Sequence, residues 1–242
     1  MENKYIMSRK DNIMLAKRNI VDSIWKSANL EGITVTFPET EMIFDGLVAK
    51  DMIIKDVNAI INLKKAWEFI TDYADYSIDY GYICMINKII GSDNVIPYPG
   101  YMRTTDVKMG GTEWVPEIPN EITVKEQLEE IKKIENATEQ AITLMLYLMR
   151  SQIFYDGNKR TAMLAANQVM IYNGVGIISI PLEEQKNFRN ELVKFYETND
   201  MSEIKKIIYD KCIDGIDFNV KENKDLLEFE RKLKEMKKLS EI

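Results

Sequence analysis

Asp156, Gly157, Asn158, Lys159 and Arg160 place one carboxylate, one permissive glycine, one amide and two cations in consecutive positions. They lie in a short polar link, Ser151 to Met163. Upstream, Ala141, Leu144, Met145 and Leu148 fall on one face at helical spacing, and downstream Met163 to Ile171 is a second apolar run of helical type. The link therefore opens a helix. A helix N-terminus offers unpaired backbone N–H groups and the positive end of the helix dipole, so it is a natural anion site with phosphate as its obvious guest. The same residues also make an ordinary turn followed by two solvated cations. The residues alone leave both readings open.

Phe154, Asp156, Gly157, Asn158 and Arg160, in that order, resemble the signature of the Fic (Fido) family, H-x-F-x-(D/E)-G-N-G-R-x-x-R. The chain departs from it at Gln152, Lys159 and Met163, and its Asn-Lys-Arg-Thr-Ala run resembles the Doc branch of the same family. The resemblance implies transfer of AMP from ATP to a hydroxyl of a protein target or of the chain itself. Asp156 would coordinate Mg2+, which favours one or two carboxylates completed by phosphate oxygens and water. Asn158 and Arg160 would hold the phosphates, the N–H groups around Gly157 would complete an anion nest, and Asn167 would lie near the nucleotide. Asn167 could equally be a satisfied core amide. Lys159, where the family has glycine, would either grip a phosphate or block close backbone approach.

Gln152 stands where the family has its general base. A carboxamide orients a hydroxyl but does not take its proton, and losing such a base typically costs on the order of 10^2 to 10^4 in rate. With no histidine in the chain, an Asp, Glu, Lys, Tyr or solvent would have to substitute. The expectation is a protein adenylyltransferase with activity weakened or abolished. The alternatives are a non-catalytic nucleotide-binding regulator, favoured by Gln152, and Doc-like phosphate transfer, suggested by Lys159.

Two further stretches extend the resemblance. Ser27, Glu31 and Gly32 resemble the family's inhibitory S-x-x-x-E-(G/N) motif, which in one class precedes the core and points its glutamate into the nucleotide pocket. Met163 replaces the arginine that pairs with that glutamate, which leaves Arg160 as the substitute partner and a weaker clamp. Arg103, Val107, Gly110, Gly111 and Thr112 resemble the flap, an exposed strand edge that pairs with a target segment by main-chain hydrogen bonds.

The elements that must position these residues are helical. Expected helices cover Ile13 to Leu30, a short piece from Phe37 to Val48, Asp51 to Ser77, Tyr80 to Ile90, two pieces between Ile122 and Arg150, Leu164 to Tyr172, Leu182 to Tyr196 and Met201 to Cys212. Glycines and prolines between 91 and 120 break the period, and Gly110-Gly111 predicts a turn between two short strands. The fold class is all-α, a Fic-type helical bundle with a small β-hairpin flap. Its organisation is an N-terminal helical region at 1–50 with the inhibitory motif, a core at 51–215 with the flap at about 97–119 and the motif at 152–163, and a charged helix at 216–242. That last helix, with Leu226, Phe229, Leu233 and Met236 on one stripe, would dock on the core or on another subunit.

At 242 residues and 45% hydrophobic content the chain can bury one good core. Cys84 and Cys212 read as buried free thiols, and without histidine no metal-ligand cluster is available. A net charge of -7 without a basic stripe disfavours a nucleic-acid partner. No run is long enough to span a membrane and no secretory core is seen, so cytoplasm is the default location.

Overall fold

A computed structural model describes residues 1–47 and 52–217. The end of the helix expected from Phe37, the start of that expected from Asp51, and all but the first two residues of the charged helix expected at 216–242 lie outside the described residues. The order of helices is α1 (Arg9–Arg18), α2 (Ile20–Leu30), α3 (Phe37–Phe44), α4 (Ile54–Asp72), α5 (Tyr80–Ile90), α6 (Glu121–Lys132), α7 (Ala137–Ser151), α8 (Asn158–Asn173), α9 (Gln185–Thr198) and α10 (Ser202–Lys211). The two strands, β1 (Ile177–Ile178) and β2 (Ile213–Asp214), pair antiparallel.

The bundle is built around α8. Every residue from Asn158 to Ile171 is buried except Lys159, and a helix that is enclosed on all sides needs neighbours on all sides. α7 is its main neighbour, with α5, α4 and α1 closing the rest. α8 also starts earlier than the apolar run predicts, at Asn158 rather than Leu164. Gly157, left-handed at φ 74°, ends the link and allows the helix to begin there.

Two other expectations change. The single helix over Ile13 to Leu30 is two helices, because Asn19 at φ -98° and ψ 9° interrupts the run while its Nδ2 donates to the Leu15 carbonyl. The expected hairpin has its turn at Gly110-Gly111 but no strands. Among the described residues the flap contributes one bridge, Met102 to Phe154, and the two-stranded ladder lies elsewhere, at β1 and β2. α3 starts as its sequence indicates: Thr36 caps Glu39 N–H, and the Glu39 carboxylate accepts from Thr36 N–H at 2.7 Å.

Candidate functional site

The link between α7 and α8 is fixed from within. Gln152 adopts a left-handed conformation, φ 47° and ψ 56°, which ends α7 at a cost of roughly 1–2 kcal/mol for a non-glycine residue. Its side chain offsets that cost locally: Nε2 donates to the Met149 carbonyl at 2.6 Å, and Oε1 accepts from Asn158 Nδ2 at 3.1 Å. The second amide hydrogen of Asn158 goes to the Phe154 carbonyl at 2.9 Å, and Phe154 N–H donates back to Asn158 Oδ1 at 2.9 Å. Asn158 is therefore a buried brace across the loop. Both its amide hydrogens are used there, so a phosphate contact from Asn158 would have to come from its backbone N–H at the start of α8.

Gly157 could not be another residue without rearrangement. Besides its positive φ, a Cβ there would lie 2.4 Å from Ile96 Cδ1. Asn87 on α5 completes the frame: its Nδ2 donates to the Asp156 carbonyl at 3.1 Å and to Thr161 Oγ1 at 3.0 Å, and its Oδ1 accepts from Gly100 N–H at 2.8 Å. One buried amide thus ties together the loop, α8 and the start of the flap. Nothing in the sequence marks it, since it sits on the apolar face of a helix.

Against that frame stand the charged groups. Asp156 is half exposed (52%), with Oδ1 accepting from Gly157 N–H at 2.6 Å and lying 3.9 Å from Arg160. Arg160 is buried (7% exposed); among the described residues its guanidinium has only this distant ion pair, and its Nε has no hydrogen-bond partner. A buried cation so poorly matched is costly unless an anion completes it.

Glu31 caps the end of α2, and its Oε1 lies 3.5 Å from Lys159 Nζ. The glutamate's partner is therefore Lys159, not Arg160, which points toward Asp156 instead. Arg160 is buried and does not line the cleft, whereas Asn158 and Lys159 do, Lys159 as the least buried residue of the first turns of α8. Glu31 Oε1 is buried without a hydrogen bond, so the pair is close in charge but incomplete in bonding. Ser27 contributes through its carbonyl, which accepts from Glu31 N–H at 3.2 Å, and Gly32 follows at φ 85°.

These groups open into a cleft of about 350 Å³ lined by Glu31, Gln152, Asp156 to Lys159, Val107 to Gly110 of the flap, and Arg189, Leu192, Val193 and Tyr196 of α9. The residues of α9 were not legible as site residues because they read as one amphipathic helix. Arg189 Nη2 donates to the carbonyls of Asn29 at 2.9 Å and Leu30 at 3.0 Å, holding the end of α2 against α9. Burial, and secondarily the charge of Glu31, push the Tyr196 phenol above its ordinary pKa. Lys108, Lys159 and Arg189 line the cleft with Glu31 and Asp156, three cations to two carboxylates, and Arg160 lies 3.9 Å from Asp156, in a chain whose net charge is -7.

The remaining expected site residues divide. Val107 and Gly110 face the cleft. Arg103 does not: it is wholly buried, and its guanidinium donates to the carbonyls of Gln152, Thr105, Pro116 and Glu117, so it pins the flap to the loop instead of meeting a target. Thr112 hydrogen-bonds Glu197 at 2.9 Å, and Gly111 makes the turn at φ 82°. Asn167 is a core amide, donating to the Met163 and Ile178 carbonyls at 2.9 and 2.8 Å and accepting from Ile178 N–H at 2.8 Å. Its amide thus ties α8 to β1, and Asn167 does not line the cleft. Met163 is buried in the core.

Comparison with known proteins bears on this arrangement. The Fic/DOC family profile matches residues 77–170. Protein adenylyltransferase fic-1 of Caenorhabditis elegans is 26% identical over 180 residues, covering 68% of this chain and 34% of that protein, and its Caenorhabditis briggsae counterpart matches to the same extent. The chain thus spans about a third of the length of these curated relatives. Among solved structures, a Fic-domain-containing signalling protein from Bacteroides thetaiotaomicron superposes with a TM-score of 0.66 at 22% identity, covering 77% of this chain and 75% of that one. Fic-1 of C. elegans superposes with a TM-score of 0.64 at 22% identity, covering 86% of this chain and 63% of that one. These structural likenesses speak to the fold.

Proposed function

We propose that the cleft between the loop, the flap and α9 binds a nucleoside triphosphate with Mg2+, and that its ancestral reaction is AMP transfer to a protein hydroxyl, a reading supported by the match of residues 77–170 to the Fic/DOC family profile. The observation that carries the reading is Arg160, a buried guanidinium with an unpartnered Nε at the N-terminus of the central helix. A phosphate there would supply the missing anion and would accept from the free N–H groups of the first turn of α8. The excess of cations around the cleft supports the same guest.

Asp156 fits the metal. One of its oxygens is engaged by Gly157 N–H, its side chain is half exposed, and no cluster of three or more acidic, histidine or cysteine ligands gathers among the described residues. A single carboxylate suits Mg2+ completed by phosphate oxygens and water. When bound, the ion would neutralise phosphate charge and polarise the transferring group. Leu192, Val193 and Val107 give the cleft an apolar side suited to a base.

In AMP transfer the acceptor oxygen bonds to the α-phosphorus, the bond to the β-phosphate oxygen breaks, and pyrophosphate leaves. The acceptor proton must go elsewhere. Gln152 cannot take it, and its carboxamide is turned back onto Met149 and Asn158, so the site lacks a base at that position and transfer is slow or absent. That same observation favours a second reading, a nucleotide-binding regulator that has lost the reaction. Glu31 held by Lys159 forms a lock between the end of α2 and the phosphate site, which nucleotide phosphates would have to open.

Incubation of the protein with α-labelled or γ-labelled ATP and Mg2+, followed by intact-mass measurement, separates the outcomes. Incorporation of AMP supports the transferase, and incorporation of phosphate from the γ position supports Doc-like transfer. Binding without incorporation supports the regulator, and no binding of any nucleotide removes the whole reading.

A further inference from the structure

Arg189 is the cation of the cleft that neither the loop nor the flap supplies. It comes from α9, is exposed, and lines the same cleft as Lys159, Asp156 and Glu31. Among the described residues only its Nη2 is engaged, donating to the last carbonyls of α2 and more distantly to Gln185 Oε1 at 3.5 Å, while its Nε and Nη1 carry no hydrogen bond. On α8, by contrast, the side that could have offered a second arginine one turn after Arg160 is closed: Met163 is apolar and 6% exposed.

We propose that Arg189 supplies the second guanidinium of the phosphate site and reads the terminal phosphates of the bound nucleotide, the task that position 163 cannot perform. The inference rests on the nucleotide reading and deepens it by giving the site a preference for tri- and diphosphates over monophosphates. A guanidinium can bridge two partners because its donors lie in a rigid fork. Here one nitrogen holds the end of α2, which carries Glu31, while the other two have no partner among the described residues. Arg160, buried at the start of α8, would then hold the inner phosphates, and Arg189, on the opposite wall, the outer ones. The arrangement also links recognition to Glu31, since the residue that reads the terminal phosphates is the one that fixes the helix end on which Glu31 sits.

The test is calorimetric titration of ATP and of AMP, each with Mg2+, into the unaltered protein, Arg189→Gln and Arg189→Lys, with a thermal melt of each variant. The expected result is that Arg189→Gln weakens ATP by about tenfold or more, the range of one lost charge-assisted hydrogen bond. AMP should change by less than about twofold, and Arg189→Lys should recover part of the ATP affinity because charge returns without the fork. Equal loss of ATP and AMP in both variants would assign Arg189 a purely structural role and overturn the inference. Unchanged ATP affinity would overturn it too, leaving the nucleotide reading intact. If the unaltered protein binds neither nucleotide, both fall together.

Discussion

The two walls of the cleft are built in opposite ways. The loop from Gln152 to Thr161 has its side chains committed inward: Gln152 to Met149 and Asn158, Asn158 to Phe154, and Thr161 to Asn87. The flap facing it is fastened at its ends, by buried Arg103 at one and by Trp114 stacked on Tyr196 at the other. Between Arg103 and Pro116 no residue is buried. A wall that must hold charged groups at fixed positions needs every internal bond satisfied. A wall that must admit a ligand, or pair with an incoming segment, needs exposed backbone and little packing. The difference explains why the loop carries the signature and the flap carries only a turn.

The comparison is broken most severely at Gly157. Gly157→Ala combines a positive φ with a Cβ 2.4 Å from Ile96 Cδ1, and a loss of about 3 kcal/mol is expected from strain and overpacking together. Urea denaturation reads it directly. Asn158→Ala is next: it strands the buried N–H and C=O of Phe154 and frees Gln152, for a loss of about 2 kcal/mol. On the opposite wall, Lys108→Ala with Met109→Ala should change stability by less than about 0.5 kcal/mol while weakening nucleotide binding. A large stability loss there would show that the flap is packed like the loop and would remove the contrast.

The smallest effect probes the seam. Thr104, at the base of the flap, donates its N–H to the Tyr155 phenol oxygen at 3.2 Å, and the two hydroxyls lie 3.0 Å apart. These contacts hold the Tyr155 pKa below its ordinary value. Thr104→Val should raise it, as ultraviolet absorbance titration would register. Because a depressed phenol pKa contributes to stability only at alkaline pH, above the phenol's own ionisation, stability at neutral pH should not move. A neutral-pH change would mean that the seam bears load.

Much of the helical fold was legible because α7 and α9 keep clear amphipathic periods and α8 a largely apolar run interrupted at Asn167 and Gln168. What was not legible came from contacts distant in sequence. Asn87, Arg189 and Tyr196 carry no local signal, since each is placed by the packing of one helix on another. Asn158 and Asn167 stood at positions of chemical promise, yet a buried amide must be satisfied by whatever lies nearest, and here that is backbone. The partner of Glu31 followed from helical phase: Lys159 faces the cleft and Arg160, one residue on, faces the interior. The strands expected around Gly110-Gly111 did not form because the turn closes no ladder, with the flap edge bonded to the loop at Met102 and Phe154 instead.

Equilibrium binding of ATP with Mg2+ to the unaltered protein and to Arg160→Gln decides whether the buried guanidinium holds a phosphate. Saturable, metal-strengthened binding to the unaltered protein is expected, weakened by about tenfold or more in the variant. Equal binding to both would mean that the buried guanidinium at the start of α8 holds no phosphate, and the cleft would lose its proposed guest.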